Sequence, residues 1–261
     1  MRIRVLLFLP LLALVAGCHT GTLPNPNDPD DVGQLSGDNI KDQLDSISES
    51  LMVHEAHGEI SDEQFHALLT SAANSLLKGY HSDKIDPIKA WKYAEVLITA
   101  HRWPDAKVAL DVAVEWAKTV HNEDRRVNDS LRLSRVLAEL GQVDQAIKVA
   151  RSAFNAQPVD GAPILYAVNQ DILPVARGKG QDLALAHLLE DAIAITWKVQ
   201  VNLATKEGQG FITSRPYRVR SAWETVVSLY NAAKRPDLAA AAQLKAESSV
   251  QKFPQRRTIK V

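Results

Sequence analysis

The chain has 261 residues, of which 46% are hydrophobic and 23% are charged, and its formal net charge is −1 at pH 7. A near-neutral chain lacks the basic excess by which proteins bind phosphate backbones, so we expect no nucleic acid partner. A single cysteine excludes an intrachain disulfide and a metal site built from several thiolates.

The chain begins with a short apolar segment. Arg2 and Arg4 give it a positive start, and residues 5–16 are apolar, with Pro10 in the middle. About a dozen apolar residues cannot cross a bilayer core, which needs roughly 20. A positive start, a short apolar stretch and a small-residue end are typical of a secretory signal peptide. The alternative is a buried N-terminal helix, which Pro10 and the two arginines disfavour.

The residues around the only cysteine form a motif, LVAGC, at positions 14–18. It resembles a bacterial lipobox at every position, over the first 18 residues only. The resemblance implies that residues 1–17 are a signal peptide that is removed, and that Cys18 receives a diacylglycerol and a further acyl chain on its amine. One acyl chain anchors marginally, whereas two or three hold firmly. The next residue is His19 rather than Asp, which in lipoproteins of the enteric type implies the outer membrane, facing the periplasm.

Residues 18–37 are predicted to be the acylated cysteine and a flexible linker. Between His19 and Gly37 there are three prolines, three aspartates and three glycines, with few apolar residues. Such a composition buries too little apolar surface to offset the entropy of ordering. We therefore expect a tether between the membrane and the folded body.

Residues 38–254 are predicted to form one all-α body. Apolar residues recur with helical spacing in about ten stretches, and few segments alternate as strands do. Ser61 and Gln64 have the spacing of a capping box, and Pro104 and Pro236 stand where helices begin. The helices are predicted to pair as about five hairpins: 39–56 with 62–79, 87–100 with 104–120, 127–140 with 143–156, 162–177 with 181–203, and 219–233 with 236–251.

Three predicted turns share a spacing of small residues. Each turn residue, His101, Gly141 or Lys234, is followed five residues later by an alanine, and a second alanine lies seven residues beyond the first. Small residues seven apart leave one helix face flat, so that the preceding helix can approach. The alanines are Ala106 and Ala113, Ala146 and Ala153, and Ala239 and Ala246.

This pattern resembles the tetratricopeptide repeat family. The clearest unit is 127–158, where Gly141, the two alanines and Pro158 match the turn glycine, the second-helix alanines and the closing proline of the motif. His101 and Lys234 depart from the turn glycine, and hairpin 39–79 shows no motif. The resemblance implies a right-handed α-solenoid with a concave groove lined by the first helix of each pair. A helical bundle is the alternative, which the turn spacings of 40 (101 to 141) and 93 (141 to 234) residues disfavour.

Charge is distributed unevenly along the chain. Residues 19–86 hold 13 acids and 3 bases, whereas residues 210–261 hold 3 acids and 10 bases. The loop predicted over residues 205–216 and the basic tail 255–261 are candidate contact regions for a partner or for anionic headgroups. The candidate partner-binding residues are Arg215, Arg218, Arg220, Arg256 and Arg257.

No residue pattern in the sequence clearly indicates a catalytic or metal-binding site. His54 and His57 lie three apart, unlike the two histidines of an HExxH zinc motif, and His66 and His81 are nearby. We predict no catalytic residue, no metal site and no cofactor besides the lipid on Cys18. Four tryptophans, Trp103, Trp116, Trp197 and Trp223, are predicted to lie in the core.

The sequence therefore predicts a membrane-anchored lipoprotein that acts as a non-enzymatic adaptor in the bacterial envelope. Its partner would be a protein or peptide involved in assembly, secretion or pilus biogenesis. Two alternatives stay open: an enzyme or metal-binding module that uses His54, His57, His66 and His81, and a structural lipoprotein that binds anionic lipid through its basic C-terminal end.

Overall fold

A computed structural model of the protein describes residues 37–81, 84–154 and 164–251. All regular elements in these ranges are helical, and none of the described residues lies in a strand, which confirms the all-α prediction for this part of the chain. No helix in the same ranges is long and apolar enough to cross a membrane. The predicted signal peptide (1–17), Cys18, the linker up to residue 36, and Arg256 and Arg257 lie outside the described residues.

The helices follow one another with short connections. They are α1 (Gly37–Ala56), α2 (Asp62–Leu76), α3 (Ala90–Thr99), α4 (Trp103–Thr119), α5 (Glu123–Glu139), α6 (Val143–Ala153), α7 (Ile164–Tyr166), a π-helical segment π1 (Ala167–Ile172), α8 (Leu173–Ala176), α9 (Asp182–Lys198), α10 (Lys206–Ala232) and α11 (Pro236–Gln251).

Several helices begin where the sequence carries a capping residue. The backbone N–H of Gln64 donates to Ser61 Oγ at 3.2 Å, and the Ser61 N–H donates to Gln64 Oε1 at 2.9 Å, so the predicted capping box is confirmed. Asn122 caps α5 with a single hydrogen bond, in which its side-chain oxygen accepts from the Arg125 N–H at 3.0 Å. Pro104 lies in the first turn of α4, where its missing N–H costs no hydrogen bond.

The three turns that share the alanine spacing also share one backbone conformation. His101, Gly141 and Lys234 have φ values of 55°, 75° and 57°, in the left-handed region. In each turn the next residue donates its N–H to a carbonyl five positions back, which closes the helix end. Glycine adopts this φ without cost, so Gly141 matches its site, whereas His101 and Lys234 hold it at a cost that surrounding packing must offset.

The alanines that follow these turns are buried. Ala106, Ala146 and Ala153 have no exposed surface. Ser134 of α5 donates its hydroxyl to the Ala146 carbonyl at 2.8 Å, which shows how closely the two helices approach at this residue. Small side chains here allow α5 and α6 to pack backbone against backbone.

Packing joins helices that are near in the chain. The second helix of each pair packs on the first, and first helices also meet one another: α1 packs on α3, and α5 packs on π1 and α8. Arg177, which follows α8, donates to Ser228 Oγ of α10 at 2.8 Å. We call α1, α3, α5, α7–π1–α8 and α10 the first-helix layer. One continuous core runs from Ile40 in α1 to Ala246 in α11.

The prediction of a loop over residues 205–216 is wrong, because α10 begins at Lys206. Thr205 caps it by accepting from the Gly208 N–H at 3.0 Å. A Cβ at Gly208 would overlap the Asn202 carbonyl oxygen, so glycine allows the helix start to fold against the preceding turn. Pro216 lies buried inside the helix. Gly208, Gly210 and Pro216 indicated a loop in the sequence, yet all three lie within this helix.

The core assignment of Trp197 is also wrong. Its side chain is 38% exposed at the end of α9, whereas Trp223 is buried. The Arg215 guanidinium lies 5.0 Å from the Trp197 ring centre, a cation–π contact that covers one face of the ring.

The helical start of α10 can be tested with two glycines of the same helix. We expect Gly208→Ala to lower the free energy of unfolding by about 1–3 kcal/mol, because its methyl group has no room beside Asn202. Gly210→Ala is the matched control, since a Cβ there meets nothing within 4 Å, and we expect a gain of about 0.5–1 kcal/mol from the better helix former. Denaturant unfolding followed by circular dichroism measures both, and equal effects would contradict the packing at Gly208.

Candidate functional site

Two cavities lie along the first-helix layer, and Tyr166 lines both. Cavity 1, of about 440 Å³, lies between α3, α5 and π1. Cavity 2, of about 450 Å³, lies between α7, π1 and α10, with Thr196 of α9 at its wall. The Tyr166 side chain is 60% exposed. We call the two cavities together the groove.

Cavity 1 is walled by both apolar and charged side chains. Ile98 and Leu131 supply apolar surface from α3 and α5. The charged residues that line it are Glu95, Arg132, Arg135 and Asp171. Acids and bases balance in this cavity.

Glu95 connects three helices of the layer. Its two carboxylate oxygens pair with Arg132 of α5 at 2.5 Å and with Lys41 of α1 at 3.3 Å. Arg132 also donates to Asp129 at 3.3 Å. These contacts hold the Arg132 guanidinium at the cavity wall and already satisfy its charge.

A buried carboxylate supports this wall from behind. Asp129 is fully buried and accepts two hydrogen bonds from Arg125 Nη2, at 2.9 and 2.8 Å. The Arg125 guanidinium lies 4.1 Å from the Trp91 ring centre. Charge-assisted hydrogen bonds to Asp129 and the contact with Trp91 fix Arg125, and the bond to Asp129 also helps to fix Arg132. Asp129 therefore has a structural role.

Two groups of cavity 1 have no such partner. Arg135 forms no ion pair with a described residue, and its Nε is buried without a hydrogen bond partner. Burial raises the pKa of the Asp171 carboxyl, while the nearby charges of Arg135 and Arg132 oppose that rise. Both side chains line the cavity, so it offers a guanidinium donor and a carboxylate acceptor to a polar ligand.

Cavity 2 is more aromatic and carries charge of one sign only. Phe211, Tyr166 and Tyr217 line it, and the Tyr217 side chain is 64% exposed. Its ionisable lining residues besides the tyrosines are Arg215 and Arg218. No acidic residue is among the residues that line it.

The π-helical segment shapes both cavities. Asn169 from this segment lines cavity 2, and Asp171 lines cavity 1. The Asn169 Oδ1 atom is buried without a hydrogen bond donor. Pro174 follows just after the segment and has no N–H to donate to the preceding turn, which favours a local departure from α-helical bonding. Pro174 is the sequence signal that would have located this segment.

The arginines predicted to bind a partner separate in the structure. Arg215 and Arg218 line cavity 2. Arg220, two residues further on, pairs with Glu224 at 3.0 Å and is not among the lining residues. Arg215 donates to the Val199 carbonyl at 3.3 Å, so part of its bonding capacity fixes the end of α9.

The four histidines of the alternative prediction are exposed. His54 and His57 both lie beside Glu59, at 2.5 and 3.9 Å, and His66 pairs with Asp62 at 3.2 Å. Within the ranges that the structure describes, no group of three or more His, Cys, Asp or Glu side chains is arranged to hold a metal ion.

Sequence reasoning missed most of the residues that line the groove: Tyr166, Asn169, Asp171, Arg135 and Tyr217. They come from α5, from the adjoining α7 and π1, and from α10, which are distant in the chain, and none belongs to a motif. Comparison with protein-family models gave no match, and comparison with curated proteins gave none either.

Proposed function

We propose that this chain is a lipid-anchored adaptor of the bacterial cell envelope, which binds an extended peptide segment of a partner protein along the groove. The body would be a right-handed α-solenoid similar to tetratricopeptide repeats, with the groove on its concave side. The observation that carries the proposal is that two cavities of similar size share Tyr166 and lie along successive first helices.

The spacing of the cavities suits an extended chain. Packed helices lie about 8–10 Å apart. A chain in the extended polyproline II conformation points every third side chain the same way and advances about 9 Å over those three residues, so side chains three residues apart would enter neighbouring cavities. A segment of about six to eight residues would occupy both.

The lining residues have the chemistry that peptide recognition needs. Asn169 lines cavity 2 and Arg135 lines cavity 1. The main-chain N–H and C=O groups of an extended peptide complement a side-chain amide and a guanidinium. Exposed aromatic rings such as Tyr166 and Tyr217 supply contact area with little loss of side-chain entropy.

The rest of the proposal concerns the cellular setting. Acylation of Cys18 would hold the protein at the outer membrane, facing the periplasm, and residues 18–37 would let the body reach its partner. The proposal assigns no catalytic residue and no cofactor apart from the lipid on Cys18.

Site-specific photocrosslinking tests the proposal. A photoreactive amino acid replaces Tyr166, and in a control protein it replaces Leu244, which is 68% exposed on α11 and does not line the groove. We expect a defined envelope protein to crosslink at Tyr166 and not at Leu244. Mass spectrometry should map the crosslink to one short segment, and a synthetic peptide of that segment should suppress it. Identical products at both positions would contradict binding in the groove.

A further inference from the structure

We infer that cavity 2 receives an internal acidic side chain of the bound peptide, flanked by an aromatic or aliphatic side chain. This inference rests on the proposed function and assigns the chemical class of its ligand. Its basis is the sign of the charge in cavity 2, where two guanidinium groups and no carboxylate line the wall.

Arg218 is the residue that would bind the acid. It is exposed, lines the cavity, and forms no ion pair or hydrogen bond with a described residue. A guanidinium presents a planar pair of donors that matches the two oxygens of a carboxylate. Binding such a group would satisfy a cation that the fold itself leaves unused.

Arg215 is the positioning residue beside it. Residues three apart in a helix lie on the same face, so both arginines face the cavity. The Arg215 guanidinium is fixed by the carbonyl of Val199 at 3.3 Å and by the rings of Trp197 and Phe211, at 5.0 and 5.8 Å. The charge of Arg215 adds to the positive potential of cavity 2, while contacts within the protein fix the orientation of its guanidinium.

The other side of cavity 2 would hold the peptide backbone and the neighbouring side chain. The Asn169 side-chain amide lines this side of the cavity, where the N–H and C=O groups of a peptide can bond to it. Tyr166 and Tyr217 present exposed rings on which an aromatic or aliphatic side chain can pack. An acidic residue next to an apolar one meets all three features.

Cavity 1 would not compete for the acid, because its charges differ. It contains Asp171 as well as Arg135, and its second arginine, Arg132, is already paired with Glu95 at 2.5 Å. A carboxylate would therefore meet balanced charges in cavity 1, where Asp171 opposes the attraction of Arg135, and two cations without an opposing acid in cavity 2. This asymmetry sets the direction in which the peptide lies.

Peptide binding by the full-length protein in detergent micelles tests the inference. The probes are fluorescent peptide pools of about eight residues, capped at both ends, randomised around a central Glu-Tyr, Gln-Tyr or Lys-Tyr. We expect the Glu pool to bind about 10-fold more tightly than the Gln pool, since a charge-assisted bond contributes about 1.4 kcal/mol or more. The Lys pool should bind most weakly, and added salt should reduce the preference for Glu.

Two matched variants locate the effect. Arg218→Gln should abolish the preference for the Glu pool, whereas Arg220→Gln, on the same helix but paired with Glu224, should keep it. Equal loss in both variants would overturn the assignment to cavity 2. A preference that appears only when the peptide C-terminus is left free would overturn the assignment to an internal side chain.

The outcomes also separate this inference from the proposed function. Equal binding of the Glu and Gln pools, weakened by Tyr166→Ser, would overturn the inference and leave peptide binding in the groove intact. No binding of any pool would overturn both.

Discussion

Cys18→Ala is expected to move the whole population of the protein from the membrane fraction to the soluble fraction. The thiol is the proposed attachment point of the acyl chains. Buried acyl chains contribute about 0.8 kcal/mol per methylene, so two or three chains hold the protein firmly. Cell fractionation with immunoblotting measures the change.

His19→Ala is the matched control, because it alters the neighbouring residue and keeps the thiol. Mass spectrometry of the N-terminus should find an acylated Cys18 in this control and no acyl group in Cys18→Ala. A Cys18 that carries no acyl group in the unsubstituted protein would refute the lipid anchor and, with it, the proposed tethering at the outer membrane.

Ala146→Leu is expected to lower the free energy of unfolding by about 3 kcal/mol. Ala146 has no exposed surface, and its carbonyl accepts a hydrogen bond from Ser134 at 2.8 Å. A leucine there forces α5 and α6 apart or into strained rotamers, which costs about 1–3 kcal/mol and sometimes more. Loss of the Ser134 bond adds about 1 kcal/mol. Chemical denaturation of the full chain measures the difference.

Ala241→Leu makes the same chemical change at an exposed alanine of α11. We expect it to alter stability by less than about 0.5 kcal/mol, as surface substitutions usually do. Similar losses in the two variants would mean that the close approach of α5 and α6 is not what the small residue provides.

Charges that are close in the sequence do not always form one surface patch, as Arg215, Arg218 and Arg220 show. Three arginines within six residues indicated one contact patch. Helical periodicity divides them: Arg215 and Arg218 share a face, and Arg220 turns away to Glu224. Closeness along the chain therefore indicates a charged region, whereas the helix faces decide which of the arginines lie together.

Ser61, Asn122, Gly141 and the buried alanines illustrate what local chemistry can predict. A cap acts through a backbone N–H three residues away, and a left-handed turn acts through one φ angle. An alanine at a helix contact acts through its size alone. Such effects depend on a few residues that are neighbours in the sequence, so they can be predicted without knowledge of the tertiary contacts.

The sequence by itself determined the all-α class, the capping box at Ser61 and the turns at His101, Gly141 and Lys234, because each depends on interactions within a few residues along the chain. Only the tertiary structure decided the groove. Tyr166, Asp171, Arg135 and Arg218 lie along it because elements that are distant in the chain, from α5 to α10, pack into one layer, and side chains from different helices share a cavity. The physical reason is that the position of a helix in the sequence depends on the period of its apolar residues and on its capping residues. A cavity depends on which helix faces remain uncovered after all the helices have packed.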